Sequence, residues 1–172
     1  MKIIHINPSN YNKSIEKHSQ NQKIKKHNQT KHSRKSTSVN ELNNAIKNGN
    51  HVFLLIYMEG CGPCNATRPE WEKVKNVLKE KYKNKYDNIV VADIDHTLLK
   101  HIHLPLNPAG FPTMVYISQK GKNIQNYEDL KKDRKVDSFV EWILQNTKQM
   151  RGGFNYKTKK QTKRTTTIRR PM

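Results

Sequence analysis

Continuous apolar runs, rather than alternating ones, mark the central strands of this chain. Such runs dominate residues 52–57, 88–94 and 113–117. A strand that is apolar on both faces is typical of a parallel sheet with helices covering each side. A polar turn at 119–122 then predicts an edge strand that ends near Tyr127.

Helical spacing of apolar residues predicts the elements between and after these strands. A first helix follows the capping-box pattern of Ser38 and Glu41 and stops at Gly49, and a short helix is predicted at 97–103. Two longer helices carry apolar residues every three or four positions. Their stripes comprise Trp71, Val74, Leu78 and Tyr82 in the first, and Val136, Phe139, Val140, Ile143 and Leu144 in the second.

This alternation of strands and helices indicates an α/β fold with a mixed central sheet and helices on both faces. Four strands are expected. Lys2–Ile6 also has the pattern of a short strand, and it would add a fifth strand at an edge of the sheet.

Charge divides the chain into three parts. The net charge of +19 splits into +8 in residues 1–37, +2 in 38–147 and +9 in 148–172. The middle part has an ordinary globular composition and is long enough to bury one core, so it is the predicted domain. The two flanking parts hold few large apolar residues and are expected to be disordered basic arms.

Both cysteines lie in the middle part, in Cys61-Gly62-Pro63-Cys64, between the strand at 52–57 and the long helix. Unpaired backbone N–H groups and the dipole at a helix N-terminus favour a thiolate at that point. Pro63 suits the first helical turn, because the N–H it lacks would have no partner there. Cys61 is therefore the predicted attacking thiol, and Cys64, one turn in and more shielded, is the predicted resolving thiol.

These residues resemble the active-site segment of the thioredoxin family. The matching features are residues 57–64, then Pro69, which is expected to bend the helix, and later the loop at 110–113 with the sequence GFPT. The spacer Gly62-Pro63 is the thioredoxin form, whereas residues 69–73 resemble the protein disulfide isomerase branch. The resemblance covers residues 38–147.

The resemblance implies a thiol–disulfide oxidoreductase. It also implies a cis bond between Phe111 and Pro112 beside the cysteines, where the neighbouring backbone pairs with an extended substrate. Substrate contacts are then expected at Phe111, Pro112, Gly62 and Pro63. For Pro112, a trans proline that opens an edge strand is the alternative.

The chain departs from the family pattern at Leu55. Thioredoxins bury an acid six residues before the first cysteine, where it helps to move protons to and from the second. Gly60 also stands where the family usually has tryptophan. The nearby Glu59 is interpreted as a solvated charge at the rim rather than as a base. These departures bear on rate, redox poise and substrate choice.

Two other uses of the cysteine pair stay open at this stage. The pair could be an inert structural disulfide, or half of a zinc site that needs four ligands. His101 and His103 form the nearest cluster that could complete such a site. The redox interpretation is preferred, and no cofactor or metal is expected.

The basic tails predict an attraction to anions, and nucleic acid is the candidate ligand. The candidate contacts are Lys157, Lys159, Lys160, Lys163 and Arg164, and the aromatic residues that could stack on bases are Tyr11, Phe154 and Tyr156. A solubilising tail and a nuclear localisation signal at 157–164 are the alternatives.

Two functions are therefore carried forward. The first is a thiol–disulfide oxidoreductase that acts on protein disulfides and needs a reductase or oxidase partner. The second is a nucleic-acid-binding or packaged interaction protein with a redox-weak domain. No secretory signal or membrane-spanning run is visible, so an intracellular, cytoplasmic monomer is expected. The abundance of Lys and Asn suggests an AT-rich genome, such as that of a large DNA virus, and a location in the virion would then be expected.

Overall fold

The structure, a computed structural model, describes residues 1–12, 38–81 and 88–148. Strands and helices alternate through most of these residues. The main elements are β1 (Lys2–Ile6), α1 (Ser38–Lys47), β2 (His51–Tyr57), α2 (Gly62–Lys81), β3 (Ile89–Asp95), a 3₁₀ helix (His96–His101), β4 (Thr113–Ser118), β5 (Asn123–Asn126) and α3 (Val136–Lys148).

The five strands form one mixed sheet in the order β1-β3-β2-β4-β5. Strands β1, β3 and β2 are parallel, β4 is antiparallel to β2, and β5 is antiparallel to β4. The structure therefore confirms the predicted thioredoxin-like α/β fold, and it has the fifth strand that the sequence left open.

The folded part of the chain begins before residue 38, because it includes strand β1. The charge pattern predicts a basic arm over residues 1–37, but β1 pairs with β3 along its whole length. Ile4 and Ile6 are buried in this pairing. The sequence could not decide this, because a five-residue strand gains its stability from a partner that lies far along the chain. Residues 13–37 and 149–172 lie outside the described part.

Helices cover both faces of the sheet, and strands β2 and β3 are buried at every position, as expected for central parallel strands. Alternate side chains of one strand enter opposite cores. One core joins the sheet to α1 and includes Leu42, Ile46, Leu54, Ile56, Val90 and Ile94. The other joins it to α2 and α3 and includes Phe53, Leu55, Trp71, Val74, Val91, Phe139 and Ile143.

Local sequence signals explain several element ends. Helix α1 closes with a Schellman motif in which Gly49 has a φ of 80° and the Asn50 N–H donates to the Ala45 carbonyl. Helix α2 runs through Pro69 as one helix. In place of the helix predicted at 97–103, the structure has a 3₁₀ helix at His96–His101, which starts one residue earlier and ends two residues earlier. It starts there because the Asp95 side chain accepts the N–H of Thr97 and caps it.

Candidate active site

The cysteine pair lies where β2 leads into α2. Residues 58–60 make the turn, with Gly60 at a φ of 76°, and the Cys61 N–H donates to the Met58 carbonyl over 3.4 Å. Cys61 and Cys64 form a disulfide with their Cα atoms 5.2 Å apart. Helix α2 starts at Gly62, so Pro63 lies in its first turn, where the sequence placed it.

The two sulfurs differ in exposure and in partners. Cys61 is half-buried, whereas Cys64 is 0% exposed. The Cys64 N–H points at the Cys61 Sγ, with a nitrogen-to-sulfur distance of 3.2 Å. In the reduced form, a backbone N–H at a helix start would favour negative charge on that sulfur.

The loop that holds Phe111 and Pro112 lies against the disulfide. The Phe111 carbonyl oxygen is 3.6 Å from the Cys61 Sγ, and the peptide bond between Phe111 and Pro112 is cis. Pro112 is buried and Phe111 half-buried, while Gly62 and Pro63 are exposed. The structure thus brings together the candidate substrate-contacting residues around the outer sulfur.

Two side chains that the sequence analysis did not select complete the rim of the site. Met58 is 37% exposed next to the cysteine turn, and the His96 ring packs 5.1 Å from the Phe111 ring. His96 is placed by Asp95, whose Oδ1 accepts from the N–H and hydroxyl of Thr97 at 2.9 and 2.5 Å. The sequence signal for this placement was the Asp-x-Thr pattern at the strand end, which is a cap. The exposed Glu59 lies on the turn, as expected of a rim charge.

The residues beneath the site are apolar at the position where the family has an acid. Leu55 is fully buried, and its neighbour in register on β3 is Asp93. Asp93 is 6% exposed and forms a hydrogen bond with the Nδ1 of His5 on β1. The sequence carries no signal for the pairing of Asp93 with His5, because the two residues are 88 positions apart.

An arginine covers the buried Tyr57, close to the cysteines. The Arg68 Cζ lies 4.1 Å from the centroid of the Tyr57 ring, a cation–π distance. Burial raises the pKa of Tyr57 to about 12, and the Arg68 charge works against that shift. Tyr57 therefore stays a neutral phenol at neutral pH.

The remaining questions from the sequence concern a metal site, a nucleic-acid interface and a membrane-spanning segment. Within the described ranges, no group of three or more His, Cys, Asp or Glu side chains is arranged to hold a metal ion. His101 stacks on Tyr11 at 4.8 Å instead. The candidate nucleic-acid contacts at Lys157, Lys159, Lys160, Lys163 and Arg164 lie outside the described residues. Among the described helices, none is both long and apolar enough to cross a membrane.

A family model described as Thioredoxin matches residues 33–143. The chain belongs to the thioredoxin family. Among curated relatives, the protein disulfide-isomerase of Ricinus communis is 32% identical over 98 residues, and that of Triticum aestivum is 35% identical over 98 residues. Each match covers 54% of this chain and 18% of the relative. The chain therefore spans less than a fifth of the length of these relatives.

A solved structure shows the same fold. Human ERp44 in its zinc-bound form has a TM-score of 0.50 and 20% sequence identity, over 61% of this chain and 28% of that one. Membership of the thioredoxin family, together with the paired cysteines, supports thiol–disulfide oxidoreductase activity at the level of the family.

Proposed function

We propose that this thioredoxin-family chain exchanges thiols and disulfides with protein substrates through Cys61 and Cys64. The observation that carries the proposal is the unequal environment of the two sulfurs. Cys61 is accessible and receives an N–H from the helix start, and Cys64 is sealed behind it. That arrangement suits one sulfur for attack on a large substrate and the other for an intramolecular step.

The reaction balances as a two-electron exchange. The Cys61 thiolate attacks one sulfur of a substrate disulfide, and the other substrate sulfur leaves as a thiolate. Cys64 then loses its proton and attacks the Cys61 Sγ, which releases the second substrate thiol and leaves the Cys61–Cys64 disulfide. Two electrons have passed to the substrate, so a dithiol or reductase partner must return them before the next cycle. The reverse sequence would oxidise a substrate dithiol.

The rim of the site fits an extended polypeptide. Exposed Met58, on the turn before Cys61, and half-buried Phe111, whose carbonyl oxygen is 3.6 Å from the Cys61 Sγ, offer apolar surface near this sulfur. Gly62 and Pro63 present little side-chain bulk to a substrate that approaches this sulfur. The protein disulfide-isomerase names of the curated relatives support protein disulfides as the substrate class.

The test uses two serine variants of the full chain and a disulfide-bonded protein such as insulin. The Cys61→Ser variant should show no reductase activity above background. The Cys64→Ser variant should accumulate a mixed disulfide with the substrate, which is visible on a non-reducing gel and disappears with dithiothreitol. Reductase activity that survives in the Cys61→Ser variant would rule out the assigned role of that sulfur.

A second function is motivated by the charge of the chain ends and by the apolar Leu55. Residues 148–172 carry nine basic and no acidic residues. We propose that these ends bind nucleic acid through phosphate contacts, whether or not the domain is a strong reductase. Affinity for duplex DNA should fall steeply as salt rises. Replacing Lys157, Lys159, Lys160, Lys163 and Arg164 by glutamine should weaken it further, and binding that ignores both changes would refute this function.

A further inference from the structure

A buried nitrogen at the rim of the active site has no hydrogen-bond partner. The Nδ1 of His96 is enclosed, and no hydrogen bond to it forms within the part of the chain that the structure describes. Buried polar atoms in folded proteins are nearly always paired, so each exception needs a physical explanation. The proposed exchange between Cys61 and Cys64 does not use His96. The explanation must therefore come from the surroundings of the ring.

The carboxylate of Asp95 faces this nitrogen. The His96 Nδ1 is 3.6 Å from the Asp95 Oδ1, and Asp95 is only 2% exposed. An ionised carboxylate only accepts hydrogen bonds, so it would repel a nitrogen lone pair placed opposite it. In a neutral His96 ring the proton therefore lies on Nδ1 and the lone pair on Nε2. The buried acid thus makes Nε2 the hydrogen-bond acceptor of the ring.

The Nε2 of His96 is accessible beside the reactive sulfur. Of the two ring nitrogens only Nδ1 is enclosed without a partner, and 35% of the side chain is exposed. The ring packs against the Phe111 ring with centroids 5.1 Å apart, and the Phe111 carbonyl oxygen is 3.6 Å from the Cys61 Sγ. A long side chain next to a substrate cysteine can therefore reach Nε2 while that cysteine is at Cys61.

The charged groups on this side of the site are acids. Asp95 lies behind the His96 ring, and Glu59 is exposed on the turn before Cys61. The loop at 104–113, which carries Phe111, contains no charged residue. A buried carboxylate is screened less by solvent than an exposed one, so Asp95 contributes strongly to the local potential. A cationic group is therefore favoured at this rim.

The neighbouring cations do not neutralise these two acids. Arg68 lies over the Tyr57 ring, with its Cζ 4.1 Å from the ring centroid. Lys100 is exposed on the same 3₁₀ helix as His96, four residues further on. Within the described ranges, neither cation forms an ion pair with Glu59 or Asp95. The negative charge at the rim is thus available to a substrate.

We propose that His96 determines substrate specificity by accepting, at Nε2, an N–H from a lysine or arginine side chain next to the reacting cysteine of the substrate. The carboxylates of Asp95 and Glu59 favour the positive charge of that side chain. Its aliphatic stem can pack on Phe111, as the stems of long cationic side chains do on apolar surface. The inference rests on the proposed thiol–disulfide exchange and adds a substrate class, namely disulfides flanked by basic residues.

The test uses symmetrical disulfides of a short peptide with a single cysteine, flanked on both sides by lysine, norleucine or glutamate. The symmetry makes the two sulfurs equivalent, so the point of attack is defined. The reduced full chain is mixed in excess with each peptide at pH 8, above the range in which histidine side chains usually change charge. Acid quenching and chromatography then give the rate at which the first peptide thiol is released.

The quantity compared is the rate with the lysine peptide divided by the rate with the norleucine peptide. Repulsion of lysine by the net charge of +19 is nearly the same in neutral variants, so it cancels between them. In the His96→Phe variant this ratio should fall about three- to tenfold, the contribution of one hydrogen bond. His96→Lys should lower it at least as much, because its ammonium repels the lysine peptide, and should speed release from the glutamate peptide. This second variant keeps the inference testable if His96→Phe fails to fold.

His101→Phe is the matched control. His101 belongs to the same 3₁₀ helix, but its ring stacks on Tyr11 with centroids 4.8 Å apart. The same chemical change at that position should leave the ratio at its wild-type value. An unchanged ratio in His96→Phe, or an equal fall in His101→Phe, would overturn the inference and leave the exchange reaction intact. A wild-type chain that releases no thiol from any of the three peptides would refute the proposed exchange itself.

Discussion

The buried contact between His51 and Tyr116 offers a measurable test of how this fold is stabilised. The His51 Nδ1 and the Tyr116 hydroxyl are 2.6 Å apart, and both residues are buried. The Tyr116 ring also stacks on Phe53 with centroids 4.7 Å apart. Tyr116→Phe keeps the ring and its stacking, so it removes the hydroxyl alone.

The expected cost follows from what the variant leaves behind. A buried nitrogen on His51 would lose its partner, and such an orphaned group costs about 1–3 kcal/mol. Tyr127→Phe is the matched control, because the Tyr127 hydroxyl donates to the backbone carbonyl of Asp133, an exposed residue. Water can replace that hydroxyl, so the control should cost only about 0.5–1.5 kcal/mol.

Urea unfolding at pH 8, followed by the fluorescence of the two buried tryptophans, measures both costs. The pH is chosen because burial lowers the pKa of His51, so that the ring is neutral in the folded and unfolded states. A loss of 2 kcal/mol would move the urea midpoint down by roughly 1 M for a small domain, with the slope unchanged. If Tyr116→Phe costs no more than Tyr127→Phe, the buried ring of His51 does not depend on this hydroxyl.

The His5→Gln variant should be less stable than the wild type chiefly at acid pH. The bond to a carboxylate raises the pKa of His5, so its contribution is complete below the unfolded value of about 6.5 and is lost as pH rises through the folded value. His51→Phe should show the opposite pH dependence of stability. Burial lowers the pKa of His51, so the wild type loses stability as the pH falls below about 6.5, and the variant does not lose this contribution. Urea midpoints measured across pH test both predictions. Gly121→Ala should destabilise the protein more than Gly49→Ala. Both glycines have positive φ, but a Cβ at 121 would lie 2.6 Å from a Leu104 methyl, against 3.6 Å to the nearest atom at 49; equal free energies of unfolding would contradict the clash.

Local patterns predicted the elements that depend on local physics. The apolar runs predicted β2, β3 and β4, because a strand buried on both faces needs apolar side chains at most of its positions. The cysteine motif and Pro63 predicted the start of α2. The first turn of a helix leaves backbone N–H groups without helical partners, so it also tolerates a proline, which has no N–H. Residues that act within one turn of each other were therefore found from the sequence.

Contacts between distant segments needed the tertiary structure. The strand Lys2–Ile6 is stabilised by β3, more than eighty residues away, and nothing within its own five residues requires a strand. The same pairing brings His5 to Asp93, and the register with β2 sets that carboxylate beside Leu55. The sequence established that the family acid is absent from position 55. Only the pairing of β1, β3 and β2 places another acid, Asp93, next to Leu55. The register between strands depends on hydrogen bonds between distant segments, and neither segment carries a local signal of its partner.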